Sequence, residues 1–215
     1  MNDEPLHGDS GTHPPHGEAA GEAQAAAPAA RAEGTGRPLP EDALIILPVR
    51  NVVMFPGTVF PLTVGRERSR AAVQEAVRLE RPIGVLLQSK PEAEEPGPDE
   101  LHWVGTSAGV LRYVTTPDGT HHVIAKGLRR FRVLQFLEGH AFPAARVQYI
   151  DDPEQLDPEI EGRVRALKQR ALETLQLLPQ VPAEMVAALQ GVEEGPQLAD
   201  FIAGGMAIPL EEKQA

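Results

Sequence analysis

Gly105-Thr-Ser107-Ala-Gly109 has the G-x-S-x-G spacing of a hydrolase nucleophile elbow, and Asp118 and His121 follow it in the matching chain order. Acyl transfer by such a serine needs its hydroxyl on a sharp strand-to-helix turn, with the helix N-terminus beside the oxyanion. The residues that follow, Val110-Leu-Arg-Tyr-Val-Thr-Thr116, are β-branched and strand-forming. The turn and helix are therefore missing, and the glycines read as bulge or barrel-corner positions. A phosphate-cradling loop is excluded because the chain contains no Gly-Lys dipeptide. His121 and His122 are adjacent, so on a strand they face opposite sides and cannot hold one metal ion. His7, His13 and His16 are interrupted by Pro14 and Pro15, and their spacing builds no rigid site. Arg129, Arg130 and Arg132 have the chemistry to bind phosphate, but read as a solvated strand face with one arginine turned the other way. The acids Asp151, Asp152, Glu154, Asp157, Glu159 and Glu161 lack the loop glycine that organises a calcium site, and read as a linker and a helix start. No catalytic, cofactor-binding or metal-ligating residue is assigned.

The elements around these residues are predominantly strands. Ala43-Leu-Ile-Ile-Leu47 is a short apolar run that Pro48 is expected to stop. Val59-Phe-Pro-Leu-Thr-Val64 is a second strand, whose Pro61 demands an edge or bulge position. Pro56-Gly57 between them forms a turn, the glycine supplying a positive φ. Over 67–80, Ala72, Val73, Ala76 and Val77 share one face of a helix that ends before Pro82. Ile83-Gly-Val-Leu-Leu87 is a third strand, and 90–100, rich in proline and acid, is a loop. Segments 103–116 and 121–126 flank Pro117-Asp118-Gly119, a hairpin signal. Segments 128–137 and 144–150 complete the set. Six or seven strands with one early helix predict an α+β fold built on a small β-barrel.

A helical region follows. Asp157-Pro158-Glu159 supplies an N-cap acceptor, a proline at the first helical position and an acid near the dipole's positive end. Ile160, Val164, Leu167, Ala171, Leu175 and Leu178 then recur at helical spacing. Shorter helices are expected after Pro182, carrying Met185, Val186 and Leu189, and after Pro196, carrying Leu198, Phe201 and Ile202. Residues 209–215 read as the opening turn of a helix that is cut off.

Composition bounds the remaining possibilities. The 215 residues carry a formal net charge of −11 and no cysteine, which excludes disulfides, thiolate zinc sites and cysteine nucleophiles and fits a cytoplasmic location. No run approaches the length of a membrane span, and the acidic N-terminus lacks the apolar core of a secretory signal. Residues 1–43 hold 10 alanines, 6 glycines and 6 prolines but almost no large aliphatic side chain, and are expected to form a disordered acidic tail. Only 44–150 is mildly basic, with mixed rather than clustered charges, which argues against nucleic acid as a partner.

The string Leu47-Pro-Val-Arg-Asn-Val-Val-Met-Phe-Pro-Gly57, followed by Pro61-Leu-Thr-Val-Gly-Arg-Glu-Arg68, resembles the N-terminal signature of Lon proteases. Val104-Gly-Thr106, Pro117-Asp-Gly119, Gly127-Leu-Arg-Arg130, Leu198-Ala-Asp200 and Leu210-Glu-Glu-Lys-Gln214 continue the likeness in collinear order. The resemblance implies a PUA-like β-barrel over 44–150 and a helical subdomain over 151–215. It implies recognition of unfolded or degron-bearing polypeptides, passed to an ATPase ring and a Ser–Lys protease chamber in a hexamer. Those catalytic parts lie further along a Lon chain, and none of Ser10, Ser69, Ser89 or Ser107 matches the protease motif. A standalone adaptor, or a PUA-like RNA-binding module, is the alternative. Candidate substrate-binding residues are Met54 and Phe55, beside the Pro-Gly turn, with Trp103, Tyr113 and Phe142. Met54 is expected to be exposed because it sits in a loop. A barrel with only nine aromatics in the whole chain is expected to need most of its rings inside.

Overall fold

Alternating and continuous apolar runs set the strands. The computed structural model describes residues 38–117, 120–153, 157–177, 181–192 and 195–215. The strands are β1 (Ala43–Val49), β2 (Val59–Val64), β3 (Ile83–Leu87), β4 (Val104–Thr115), β5 (His121–Leu137) and β6 (Ala144–Ile150). Helix α1 (Glu67–Leu79) interrupts them, and α2 (Pro158–Leu177), α3 (Ala183–Gly191), α4 (Gly195–Gly205) and α5 (Leu210–Gln214) follow. The strand order is β2-β5-β4-β3-β1-β6, and β5 also pairs with β6. This second pairing closes a hydrogen-bonded ring of β5, β4, β3, β1 and β6, with β2 attached outside it. One side of β5 is shared in sequence, residues 121–126 by β2 and 130–137 by β6.

Two strands differ from expectation. Pro48 does not stop β1, which runs on to Val49 in parallel register with β3. Its pairing with β6 covers only 43–45, so Pro48 stands where β1 has one strand neighbour and a missing N–H is tolerated. The expected segments 121–126 and 128–137 are one 17-residue strand, because Gly127 continues the backbone instead of breaking it. The tip residues Asp118 and Gly119 lie outside the described residues, while Thr115 and His121 pair beside them.

β1 is buried on both faces, with the period of 2 that a strand imposes. Ile45 and Leu47 join Leu62, Val73, Ala76, Val85 and Val123 in one cluster. Leu44 and Ile46 join Leu86, Phe131 and Val133 in the other. Helix α1 covers the first cluster, and fully burying Val73 stabilises the fold by about 1.5–3 kcal/mol. The helix stops at Glu80, whose φ of 53° lies in the left-handed region. Arg81 then donates to the carbonyls of Pro40, Glu41 and Ala43. Leu39 packs on the first cluster. Residues 38–43 therefore belong to the folded chain, whereas composition alone assigned them to the tail. Residues 1–37, with their three histidines, lie outside the described residues.

The predicted cap of α2 is present: Asp157 Oδ1 accepts from the Glu159 N–H at 2.8 Å. Lys168 Nζ reaches the carbonyls of Gln190 and Val192, closing the end of α3. Leu189 and Leu198 are buried, whereas Ile160 and Leu167 of the α2 stripe stay largely exposed. The C-terminal helices are fastened to the strands by polar contacts. Arg130 donates to Asp152 and to Asp200, and Gln214 Nε2 donates to the Val104 carbonyl at 3.0 Å.

Candidate functional site

The five aromatic and methionine candidates do not converge. Met54 is only 4% exposed and sits in the first apolar cluster, so its expected loop exposure is corrected. The reason is that its loop lies down on β5. The Gly57 N–H donates to the Gly127 carbonyl at 3.0 Å, and the Gly127 N–H donates to the Thr58 carbonyl at 2.8 Å. Thr106 Oγ1 holds the Met54 carbonyl at 2.6 Å from the other side. A Cβ at position 127 would collide with the Phe55 carbonyl, so this close approach requires glycine. Phe55 is half-buried. Tyr113 and Phe142 pack against the first cluster, and the Tyr113 hydroxyl bonds His121 Nδ1 at 2.7 Å. Trp103 is 46% exposed and stands edge-on to Phe136, which packs on the second cluster.

Ser107 has no nucleophile geometry. It is buried in the middle of β4, where its hydroxyl donates to the Arg129 carbonyl at 3.0 Å and accepts from the Arg129 N–H at 3.2 Å. These bonds span a register shift in the β4–β5 ladder, so the hydroxyl repairs a bulge. Asp118, which follows it in the order of a hydrolase triad, lies outside the described residues. Arg129 pairs with Asp151 and stacks over Tyr149, and Arg130 pairs with two aspartates. The acids and arginines noted separately in the sequence thus partly neutralise each other. Among the described residues no group of three or more metal-ligating side chains gathers.

A concavity lies elsewhere. A groove of about 720 Å³ runs between the end of β1 and β2, lined by Leu47, Val49, Val52, Phe60 and Leu62 among others. Among the described strands β2 pairs only with β5, and every residue from Phe60 to Arg66 lines this groove. Apolar walls with a few polar groups are the general form of a ligand cleft.

The charged groups of the lining are Arg50 and Arg66, linked through the buried Gln88 and the Ala93 carbonyl. Arg66 Nη2 donates to Gln88 Oε1 at 2.5 Å. Gln88 Nε2 donates to the Ala93 carbonyl at 3.0 Å, and Arg50 Nη2 donates to that same carbonyl at 2.9 Å. Burial and then the Arg50 charge hold the Arg66 guanidinium below its usual range, opposed by the charges of Glu94 and Glu95. Sequence reasoning missed this trio. Both arginines stand in the strings Leu47–Gly57 and Pro61–Arg68, yet nothing local shows that a glutamine 22 residues beyond Arg66 joins them.

The model of the ATP-dependent protease La (LON) substrate-binding domain matches residues 43–215. The Lon protease of Paraburkholderia phytofirmans is 44% identical over 194 residues, covering 90% of this chain and 24% of that protein. The Lon protease of Phenylobacterium zucineum is 45% identical over 179 residues, covering 83% of this chain and 22% of that protein. The chain spans about a quarter of the length of these curated relatives. The solved N-terminal domain of Mycobacterium avium complex Lon protease shares the fold, with a TM-score of 0.66 at 19% identity. That match covers 80% of this chain and 87% of the other.

Proposed function

Because this chain belongs to the ATP-dependent protease La (LON) substrate-binding domain family, we propose that it binds unfolded or degron-bearing polypeptide. In this reading it delivers the bound segment to ATPase and protease domains of a longer parent protein, assembled as a cytoplasmic hexamer. The groove between β1 and β2 carries the reading. Its walls are largely apolar, and among the described strands β2 pairs only with β5, so that an extended peptide can add to its other edge by main-chain hydrogen bonds. The closed ring supports naming 44–150 a PUA-like barrel and 151–215 a helical subdomain fastened to it. The exposed Trp103 is a second apolar contact for substrate, and half-buried Phe55, Tyr113 and Phe142 are reduced to supporting roles.

Titration of a labelled denatured protein and a labelled RNA, at low and high salt, tests this function. One small interface must offset the entropy of ordering the peptide, so a Kd on the order of 10 μM or weaker is expected. That binding should persist at high salt, because apolar burial is not screened. Salt-sensitive RNA binding without peptide binding would overturn the reading in favour of an RNA-binding module.

A further inference from the structure

We propose that the Arg50–Arg66 end of the groove captures the free C-terminal carboxylate of an extended, apolar polypeptide. The inference rests on the polypeptide-binding reading above and names the chemistry of the segment that this groove selects.

Arg66 bonds the buried Gln88 and Arg50 shares that glutamine's acceptor, the Ala93 carbonyl, and among the described residues neither arginine forms an ion pair with a carboxylate. Arg50 spends one donor on the Ala93 carbonyl, and its Nε is buried with no partner. Arg66 spends one donor on Gln88. Partly buried charges are ordinarily paired and hydrogen-bonded, and arginine's planar fork matches a carboxylate with two parallel bonds. Arg66 also precedes α1, whose N-terminus has no side-chain cap, and the buried Ser69 of its first turn lines the same groove. The positive end of the helix dipole adds to the two arginines.

The rest of the groove selects against charge. Leu47, Val49, Val52, Phe60 and Leu62 offer nothing to an acidic or basic side chain. In an otherwise apolar segment the carboxylate that meets the arginines is the chain end. Arg50 and Gln88 pin Ala93, and Gln88 also holds the Lys90 carbonyl, so this loop stands behind the guanidiniums. Glu94 and Glu95 follow in it, and their negative charges act against a carboxylate held by the arginines.

Three N-terminally labelled ten-residue peptides of valine, leucine and serine test the proposal by fluorescence anisotropy against the full chain. One ends in a free carboxylate, one in an amide, and one in an amide with an internal aspartate. The free acid should bind about tenfold tighter than the amide, as expected for charge-assisted hydrogen bonds. Arg66→Gln should abolish that preference, so that the free acid and the amide bind with the same affinity. Because Arg66 also holds Gln88, a second variant guards against misfolding: Glu94→Gln with Glu95→Gln, both exposed, should tighten the free acid further. Failure to tighten would overturn the placement of the carboxylate at this end. Equal binding of acid and amide would overturn the proposal and leave the polypeptide-binding reading standing. An internal aspartate as good as the chain end would overturn the choice of terminus. Binding of none of the three would overturn both.

Discussion

The Arg130 guanidinium donates to the Asp200 carboxylate, tying β5 to α4 across 70 positions of sequence. Asp200 is buried, and its second oxygen, Oδ2, has no partner. Arg130 keeps a further contact to Asp152 at 3.1 Å. Removing the buried acceptor strands a partly buried cation, so Asp200→Ala should cost about 2–3 kcal/mol. In a thermal melt that is a fall of roughly 5–10 °C for a chain of this size. A midpoint within about 1 °C of the parent would show that the pair does not fasten the helices.

The same carboxyl makes stability depend on pH. Burial pushes the Asp200 pKa up, more than the charge of Arg130 pulls it down. The folded chain therefore holds this proton more tightly than the unfolded chain. As pH rises from about 4, the ordinary aspartate range, through the raised value, the unfolded state releases the proton first and the fold loses stability. Asp200→Asn should remove this contribution, flattening the fall in denaturation midpoint over that window. An unchanged slope would assign the pH dependence to other groups.

Gly127→Ala should be among the most damaging single substitutions. The added Cβ meets the Phe55 carbonyl, which is backbone and cannot swing aside. A loss of about 3 kcal/mol is expected, with the Pro56–Gly57 turn displaced from β5. Urea denaturation gives the magnitude, and a loss below about 1 kcal/mol would show that the loop yields easily.

Met54 and Trp103 should separate core from surface. Met54→Ala empties a buried site and should cost about 2–5 kcal/mol. Trp103→Ala removes a half-exposed ring and should cost about 1 kcal/mol or less, while weakening binding of denatured protein. The reverse order of stabilities would contradict the burial described.

The N-terminal boundary can be tested by truncation. Removing residues 1–37, which contain almost no large apolar side chains, should leave the thermal midpoint nearly unchanged. Extending the deletion through Asp42 also removes Leu39 from the core and two of Arg81's acceptors. A further drop of several degrees is expected. Equal midpoints for the two truncations would show that 38–42 contribute nothing.

The sequence alone determined the local elements and the family. Apolar alternation placed the strands, the Asp157-Pro158-Glu159 cap placed the start of α2, and the proline-glycine strings between Leu47 and Arg68 carried the Lon resemblance. Each of these signals acts within a few residues of its position, where spacing and side-chain type suffice. What joins distant segments was decided only by the tertiary structure. Gly127 reads alone as a strand break, yet it keeps β5 continuous because the Phe55 carbonyl lies against it. Met54 reads as an exposed loop residue, yet that loop folds onto β5 and buries it. Arg50, Arg66 and Gln88 look like three unrelated polar residues until β1, the start of α1 and the end of β3 bring them to one end of the groove. Arg130 and Asp200 pair for the same reason. Ring closure fixes which residues meet across long stretches of chain, and such contacts leave no periodicity for a linear reading to detect.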